Sequence, residues 1–295
     1  MTSETTLRSP AGGPAAAAAQ AEVVADRAAV RVCELESIEE VRAAAALYET
    51  VWRASTGASP VSPELMRALS HAGGYVAGAF DGDRLVAASL AFHGDGVVAD
   101  LHSHIAAVLP QVQGRDIGRA LKLHQRSWAL ARGLATVSWT FDPLVRRNAW
   151  FNLSKLGARA TDYLVDFYGV MQDAQNNGDE SDRAVAVWQL EAPQVVAAAS
   201  GAYPEVRVDE LLREGARIAL RDSDGVPVPA AGAAGTLRVL VQIPEDVQRL
   251  RLAQPMLARR WREVSRDVLE PLLSGHFVAT GFARSGWYVL EEVLA

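Results

Sequence analysis

Apolar and polar residues alternate from Val30 to Leu35, which predicts a strand. The spacing then changes to steps of three and four through Val41, Ala45, Leu47, Tyr48 and Trp52, which predicts a helix over Ile38 to Trp52. Ser37 with Glu40 makes the pattern of a capping box at its start. A second helix is expected over Pro63 to Ala72, started by Ser62. Gly74 to Phe80 and Arg84 to Phe92 read as strands joined by the Asp81-Gly82-Asp83 turn. Gly94-Asp95-Gly96 makes another turn, leading into a long strand from Val97 to Leu109. Next come an amphipathic helix over Ala120 to Arg132, a strand over Ala135 to Phe141 and a helix over Val145 to Leu156 that Gly157 stops. Strands at Ala160 to Tyr168 and Ala184 to Leu190 follow, separated by the polar stretch Gln172 to Asp182.

From Val206 to Ala295 the pattern repeats on a smaller scale. Leu237 to Ile243 reads as a strand, about Pro244 to Gly275 as one long helix, and Phe277 to Phe282 with Gly286 to Glu292 as a hairpin. Trp261, Val264, Val268 and Leu272 recur at helical spacing and are expected as its buried stripe. Arg249, Arg251, Arg259, Arg260, Arg262 and Arg266 are expected on a solvated face among Glu245, Asp246, Glu263 and Asp267. Residues 1 to 28 are rich in Ala, Gly, Pro, Ser and Thr and are expected to be disordered. Arg8 ahead of Ala15 to Ala19 is a weak match to a secretory signal, interrupted by Pro10 and Pro14. The expected organisation is therefore a tail over 1–28, an α/β domain with a mixed sheet over 29–192, and a smaller α/β subdomain over 193–295.

The chain has 295 residues, of which 49% are hydrophobic, enough for a substantial core. A net charge of -6 argues against a general nucleic-acid or anionic-membrane binder. No apolar stretch reaches membrane-spanning length, so a cytoplasmic location is expected. The single cysteine, Cys33, cannot form an internal disulfide and reads as a small core residue. No Cys/His cluster has metal-ligand spacing, so no metal is expected.

The chemistry concentrates in Gln113-Gly114-Arg115-Asp116-Ile117-Gly118-Arg119, a glycine-punctuated turn between a strand and a helix. Such a turn leaves backbone N–H groups unpaired at a helix N-terminus, where they and the helix dipole favour an anion. Its spacing fits neither a dinucleotide fingerprint nor a P-loop. With Asn148-Ala149-Trp150-Phe151 and Lys155-Leu156-Gly157-Ala158, and with the order of elements, the turn resembles the GNAT superfamily of acyl-coenzyme A-dependent N-acyltransferases over roughly residues 30 to 190. Leu101-His102-Ser103-His104, Trp139-Thr140-Phe141-Asp142-Pro143-Leu144, Asn148 to Leu153 and Ser181-Asp182-Arg183 are similar to one bacterial subgroup of that superfamily. Some members of the subgroup are associated with N-acylation, including N-succinylation, of amino acids.

The resemblance implies roles. Gln113 and the amides of Gly114, Arg115, Asp116, Ile117, Gly118 and Arg119 would face the coenzyme diphosphate. Ala106 and Val108 would lie along the pantetheine arm, and Asn148 beside it. Asp116 stands where the family has glycine, and is expected to turn away as a helix cap. His102 and His104 share a strand face and are candidate bases, with His104 preferred; the competing reading makes both structural. Asp142 would orient a histidine or hold the amine, although Asp before Pro is also a routine turn residue. Asn152 occupies the place of a thiolate-protonating tyrosine, leaving Tyr163, Tyr168 or water for that task. Arg183, near Asn176 and Asn177, could clamp a carboxylate, and Tyr168 and Asn152 could line the acceptor site. The expected activity is transfer of an acetyl, succinyl or similar acyl group to a small amine, an amino acid being one candidate. A GNAT-fold ligand- or partner-binding protein with reduced catalysis is the alternative, and a homodimer built on the C-terminal subdomain is a further option.

Overall fold

The computed structural model describes residues 12–52, 59–169, 178–203, 205–230 and 235–293. The chain divides into two compact units, one of residues 1–51, 61–137 and 189–200, the other of 52–60, 138–188 and 201–295. This division differs from the expected boundary at residue 192, because residues 138–188 group with the C-terminal part of the chain. Among the described residues, no helix is long and apolar enough to cross a membrane.

The first unit begins with a helix, α1 (Pro14–Arg27), where disorder was expected. Five consecutive alanines have the highest helix propensity, and Pro14 sits in the first turn, where its missing N–H costs nothing. Ala17, Ala21 and Val24 recur at steps of three and four and are buried. Alanine is thus a packing residue here: its small side chain lets α1 pack closely on α4 (Ile117–Ala131). Strands β1 (Arg31–Glu34), β2 (Tyr75–Asp81), β3 (Arg84–His93) and β4 (Leu101–Val108) follow in that spatial order, each antiparallel to the next. Cys33 is only half-buried, and its Sγ accepts a hydrogen bond from Arg31.

Helix α2 (Ile38–Trp52) has the boundaries expected from its periodicity. Its capping box is formed: the Glu40 N–H donates to Ser37 Oγ at 3.1 Å, and the Ser37 N–H donates to Glu40 Oε2 at 3.0 Å. Helix α3 (Pro63–His71) is capped by Ser62, whose Oγ accepts from the Leu65 N–H at 3.2 Å. Strand β4 starts four residues later than expected, because Asp95 Oδ1 accepts the Val97 and Val98 N–H groups in a turn.

The second unit holds the strand order β5 (Thr136–Phe141), β7 (Arg183–Gln189), β6 (Arg159–Leu164), β11 (Phe277–Ala283), β12 (Trp287–Glu292), β10 (Arg238–Gln242), β8 (Arg217–Ser223), β9 (Val226–Pro229), with β5 running across the unit boundary. β8 and β10 are parallel and the other described pairings are antiparallel, so the sheet is mixed. The β8–β9 hairpin, turned at Asp224-Gly225, was not expected, and neither were the short helices α6 (Pro193–Ala199) of the first unit and α7 (Val208–Arg213). The helix expected from Val145 begins as α5 (Arg146–Ala149) and widens into a π turn over Trp150–Lys155. The long C-terminal helix is two helices, α8 (Val247–Ala253) and α9 (Pro255–Leu273). Pro255 cannot donate the N–H that would join them.

Candidate functional site

In the first unit, chemistry gathers on β4 and on the turn that leaves it. The register of β4 against β3 slips by one residue: Ser103 faces Ala91 and Ile105 faces Leu90, so His104 is the extra residue of a β-bulge. His104 is exposed and His102 half-buried. Their ring centroids are 6.2 Å apart, and both rings lie against Phe92, at 5.2 Å for His102 and 5.7 Å for His104. The two histidines therefore share a face, as expected. Desolvation lowers the pKa of both, and for His102 the charges of His104 and Lys122 lower it further. At neutral pH both rings are uncharged proton acceptors.

At the other end of β4 the chain passes through a short 3-10 turn (Pro110–Val112) into the glycine motif. The Arg119 and Ala120 N–H groups both donate to Asp116 O at 3.0 Å. Among the described residues, the N–H groups of Gly114, Arg115, Ile117 and Gly118 have no backbone partner. Nothing lies within 4 Å of the position a side chain would take at Gly114, so this turn is open. Gly114 and Asp116 have positive φ, 87° and 66°. The cradle thus has the unpaired donors that an anion needs.

The side chains of the turn are engaged by the protein. Arg115 pairs with Asp81 at 2.7 Å and donates to the Ala28 carbonyl at 3.1 Å, just beyond the end of α1. Arg119 is buried and donates to the Ala198 and Ala199 carbonyls at 2.8 and 3.0 Å, closing the C-terminus of α6. Asp116 occupies the N-cap position of α4, but in left-handed conformation and without a side-chain capping bond; its carboxylate lies 3.7 Å from Arg119. The expected cap is one of position only, since a left-handed residue aims its side chain away from the first-turn amides. Gln113 donates to the Val108 carbonyl at 3.3 Å, and Ala106 is exposed beside it on β4.

In the second unit Arg249, Arg259 and Arg260 are exposed as expected, but Arg251 and Arg262 are buried and Arg266 half-buried, against expectation. Arg262 grips Asp142 with two hydrogen bonds of 3.0 Å, and Arg251 reaches the same carboxylate at 2.6 Å. Both arginines also reach Asp179, at 3.2 and 3.0 Å. Arg262 is 1% and Arg251 4% exposed. Arg266 holds Asp182 through two bonds of 2.9 and 2.8 Å and also pairs with Glu180. Carboxylates from 142–182 thus meet guanidinium groups from 251–266. Charges this deeply buried persist only when paired and hydrogen-bonded.

This pairing removes Asp142 from the catalytic role expected for it. Burial alone would raise its pKa, but Arg262 and Arg251 hold it well below the usual carboxylate range. With both oxygens held by Arg251 and Arg262, it is not placed to orient a histidine or hold an amine. The buried stripe of α9 is Ala258, Trp261, Arg262, Ser265, Leu269 and Leu273. Of the expected stripe only Trp261 is fully buried; Val264, Val268 and Leu272 lie beside it, half-buried.

Arg183 is also buried; its guanidinium donates to the Asp182 carbonyl at 2.9 Å and lies 5.4 Å from the Tyr168 ring centroid. Tyr168 is exposed, with its hydroxyl 3.3 Å from Thr140 Oγ1. Tyr163 donates its hydroxyl to Asp182 at 2.7 Å, and burial followed by that carboxylate raises its pKa well above the usual tyrosine value. It is therefore a poor proton donor. Asn152 is buried and Asn148 half-buried on the widened helix. Asn176 and Asn177 lie outside the described residues. Among the described residues, no group of three or more His, Cys, Asp or Glu could hold a metal ion.

No protein-family model and no curated protein sequence matches the chain. Solved structures do. The chain is similar to acetyltransferases of the GNAT family. One is the ribosomal-protein-S18-alanine N-acetyltransferase from Escherichia coli, at 15% identity and a TM-score of 0.44 over 55% of this chain and 95% of that one. A GNAT family acetyltransferase from Elizabethkingia anophelis with acetyl-CoA bound has 16% identity and a TM-score of 0.42, over 55% of this chain and 98% of that one. An N-acetyltransferase from Staphylococcus aureus Mu50 has 12% identity and a TM-score of 0.43, with the same two coverages. Each GNAT likeness thus spans about half of this chain.

Sequence reasoning missed Lys122. It lies on α4 beneath β4, where its Nζ donates to Ser103 Oγ at 2.7 Å and to Gln125 Oε1 at 3.0 Å. A lysine among the inward positions of α4 was the available signal. The helical period places residue 122 with Ala129, one face of which is buried.

Proposed function

We propose that this protein is an acyl-coenzyme A-dependent N-acyltransferase acting on a small amine. What carries the proposal is the pairing on one strand and the turn leaving it: uncharged histidines on a bulge of β4, and unpaired amides at the start of α4. The amides of Gly114, Arg115, Ile117 and Gly118 would receive the coenzyme diphosphate, with Gln113 and Asp116 flanking it. Ala106 and Val108 would border the pantetheine arm. A bulge aims a side chain out of regular alternation, and here it leaves His104 exposed.

His104 is the preferred base, with His102 beside it. A neutral amine nitrogen attacks the thioester carbon, a C–N bond forms, the C–S bond breaks and the thiolate leaves. The proton lost by the amine passes to the His104 imidazole, directly or through water. No covalent enzyme intermediate is needed, because a thiolate is a good leaving group. Asn148, Asn152, Tyr168 and Arg183 remain candidates for contacts to the coenzyme or the acceptor. An amino acid acceptor and a succinyl donor are the finer readings, resting on the subgroup resemblance and on Arg183.

A His104→Ala variant tests the base. We expect kcat to fall about 100-fold or more at neutral pH, with coenzyme affinity retained. Full turnover across the neutral range would remove His104 from this role. One observation favours the second reading, a binding module with reduced catalysis: both arginines of the turn are engaged by protein groups rather than free for phosphate. Release of thiol on addition of an amine panel separates the two.

A further inference from the structure

Ser103 stands between the two histidines in sequence, but its side chain points through the sheet into the layer under α4, where it is 4% exposed. There it accepts the 2.7 Å hydrogen bond from Lys122 Nζ, while Gln125 Oε1 accepts another at 3.0 Å. Lys122 is 6% exposed, and these two partners are uncharged. Ser89, on the same face of neighbouring β3 as Ala91 opposite Ser103, is also buried. Ser89 Oγ and Gln125 Nε2 have no hydrogen-bond partner. A buried ammonium is costly, and its position behind the bulge suggests what it does.

Other titratable groups of this layer include His124 on α4 and Tyr75 on β2, joined at 2.9 Å, with Tyr48 and Cys33 acting on Tyr75. Glu34 acts on both His124 and Tyr75. On the opposite face of β4, His102 is faced by His104 and by the Phe92 ring.

We propose that Lys122 is a positioning residue for His102: through Ser103 it ties the bulged stretch of β4 to α4, and its ammonium beneath the strand holds the His102 ring in its uncharged, proton-accepting form. Two like charges separated by a strand in a low-dielectric interior repel, so His102 resists protonation while Lys122 is charged. Lys122 contributes to the lowered pKa of His102, after burial and His104, and burial lowers that of His104. Burial presses Lys122 itself down to about 7, so the ammonium is held at the edge of its own stability. The proposal builds on the reading of the β4 histidines as bases, but its test needs no turnover.

The imidazole signals of His102 and His104, assigned with His102→Gln and His104→Gln variants, are followed by NMR from about pH 5 to about pH 9 in the full-length protein. Lys122→Gln removes the charge and keeps a donor for Ser103; Lys122→Met removes both; Lys122→Arg keeps the charge. We expect the His102 midpoint to rise in the Gln and Met variants and to stay near wild type in the Arg variant, with His104 shifting less than His102 throughout. Either neutral variant suffices if the other does not fold. An unmoved His102, or equal shifts of the two histidines, overturns the proposal. Loss of the acyltransferase reading would appear instead as no thiol release from the wild-type protein with an amine panel, and leaves this titration intact.

Discussion

At the scale of single residues, two side chains break the rules of their surroundings. Lys122 is a buried ammonium, 6% exposed. Unfolded, it titrates near its ordinary value of 10.5; folded, burial pushes it down to about 7. Below about pH 7 both states are protonated and the folded state bears the full cost of the buried charge. Between about 7 and 10.5 the unfolded state holds more protons, so stability rises with pH as the cost is relieved. Lys122→Met is therefore expected to stabilise the protein, by a few kcal/mol below pH 7 and by progressively less toward pH 10, as read by urea unfolding at a series of pH values. Asp116 is the second. A non-glycine residue at φ 66° costs about 1 kcal/mol. A carboxylate beside a diphosphate also repels it. Asp116→Gly should stabilise α4 slightly and tighten coenzyme A binding several-fold, measured by calorimetry at fixed salt.

At the scale of elements, local signals were legible and long-range pairing was not. The capping box of α2 and the Ser62 cap of α3 could be read because both partners lie within three residues. The bulge at His104 could not, since a bulge exists only relative to the neighbouring strand. The arginines of α8 and α9 looked solvated because nearby acids of opposite sign were available. For Arg251 and Arg262 the actual partners, Asp142 and Asp179, lie 72 to 120 positions away, whereas Arg259 does pair with nearby Glu263.

Asp142→Ala would leave Arg251 and Arg262 buried with half their counter-charge. A loss of about 3–5 kcal/mol is expected in equilibrium unfolding. Asp142 and Asp182 both have lowered pKa values. Their stabilising contribution is full above the ordinary carboxylate range and is lost as pH falls below about 4.

α1 is the other element that composition misled. A run of alanine lacks the bulk that marks a core, yet alanine both favours helix and permits close packing. Its removal would strip Arg126, itself 0% exposed, of hydrogen bonds to Gln20 and Gly12, and Arg115 of the Ala28 carbonyl. Deletion of residues 1–28 should therefore lower the melting temperature by several degrees and weaken coenzyme binding at the turn. An unchanged melting temperature would mean that α1 contributes nothing to the first unit.

At the scale of the whole molecule, the order of strands and helices was legible from residue 30 through residue 190, because hydrophobic period and turn residues mark each of those elements. The β8–β9 hairpin and helices α6 and α7 escaped, being short and without strong periodicity. The candidate base and the candidate anion cradle could be named from the sequence because they depend on residue type and local order. Lys122 and the buried ion-pair cluster depend on which surfaces the fold brings together.

Acyl transfer by this protein requires coenzyme binding at the turn from Gln113 to Arg119. Isothermal titration of the full-length protein with acetyl- and succinyl-coenzyme A tests it most directly. We predict saturable heat with at least one of them, weakening as salt is raised. No heat with either at millimolar ligand, from folded protein, would contradict it.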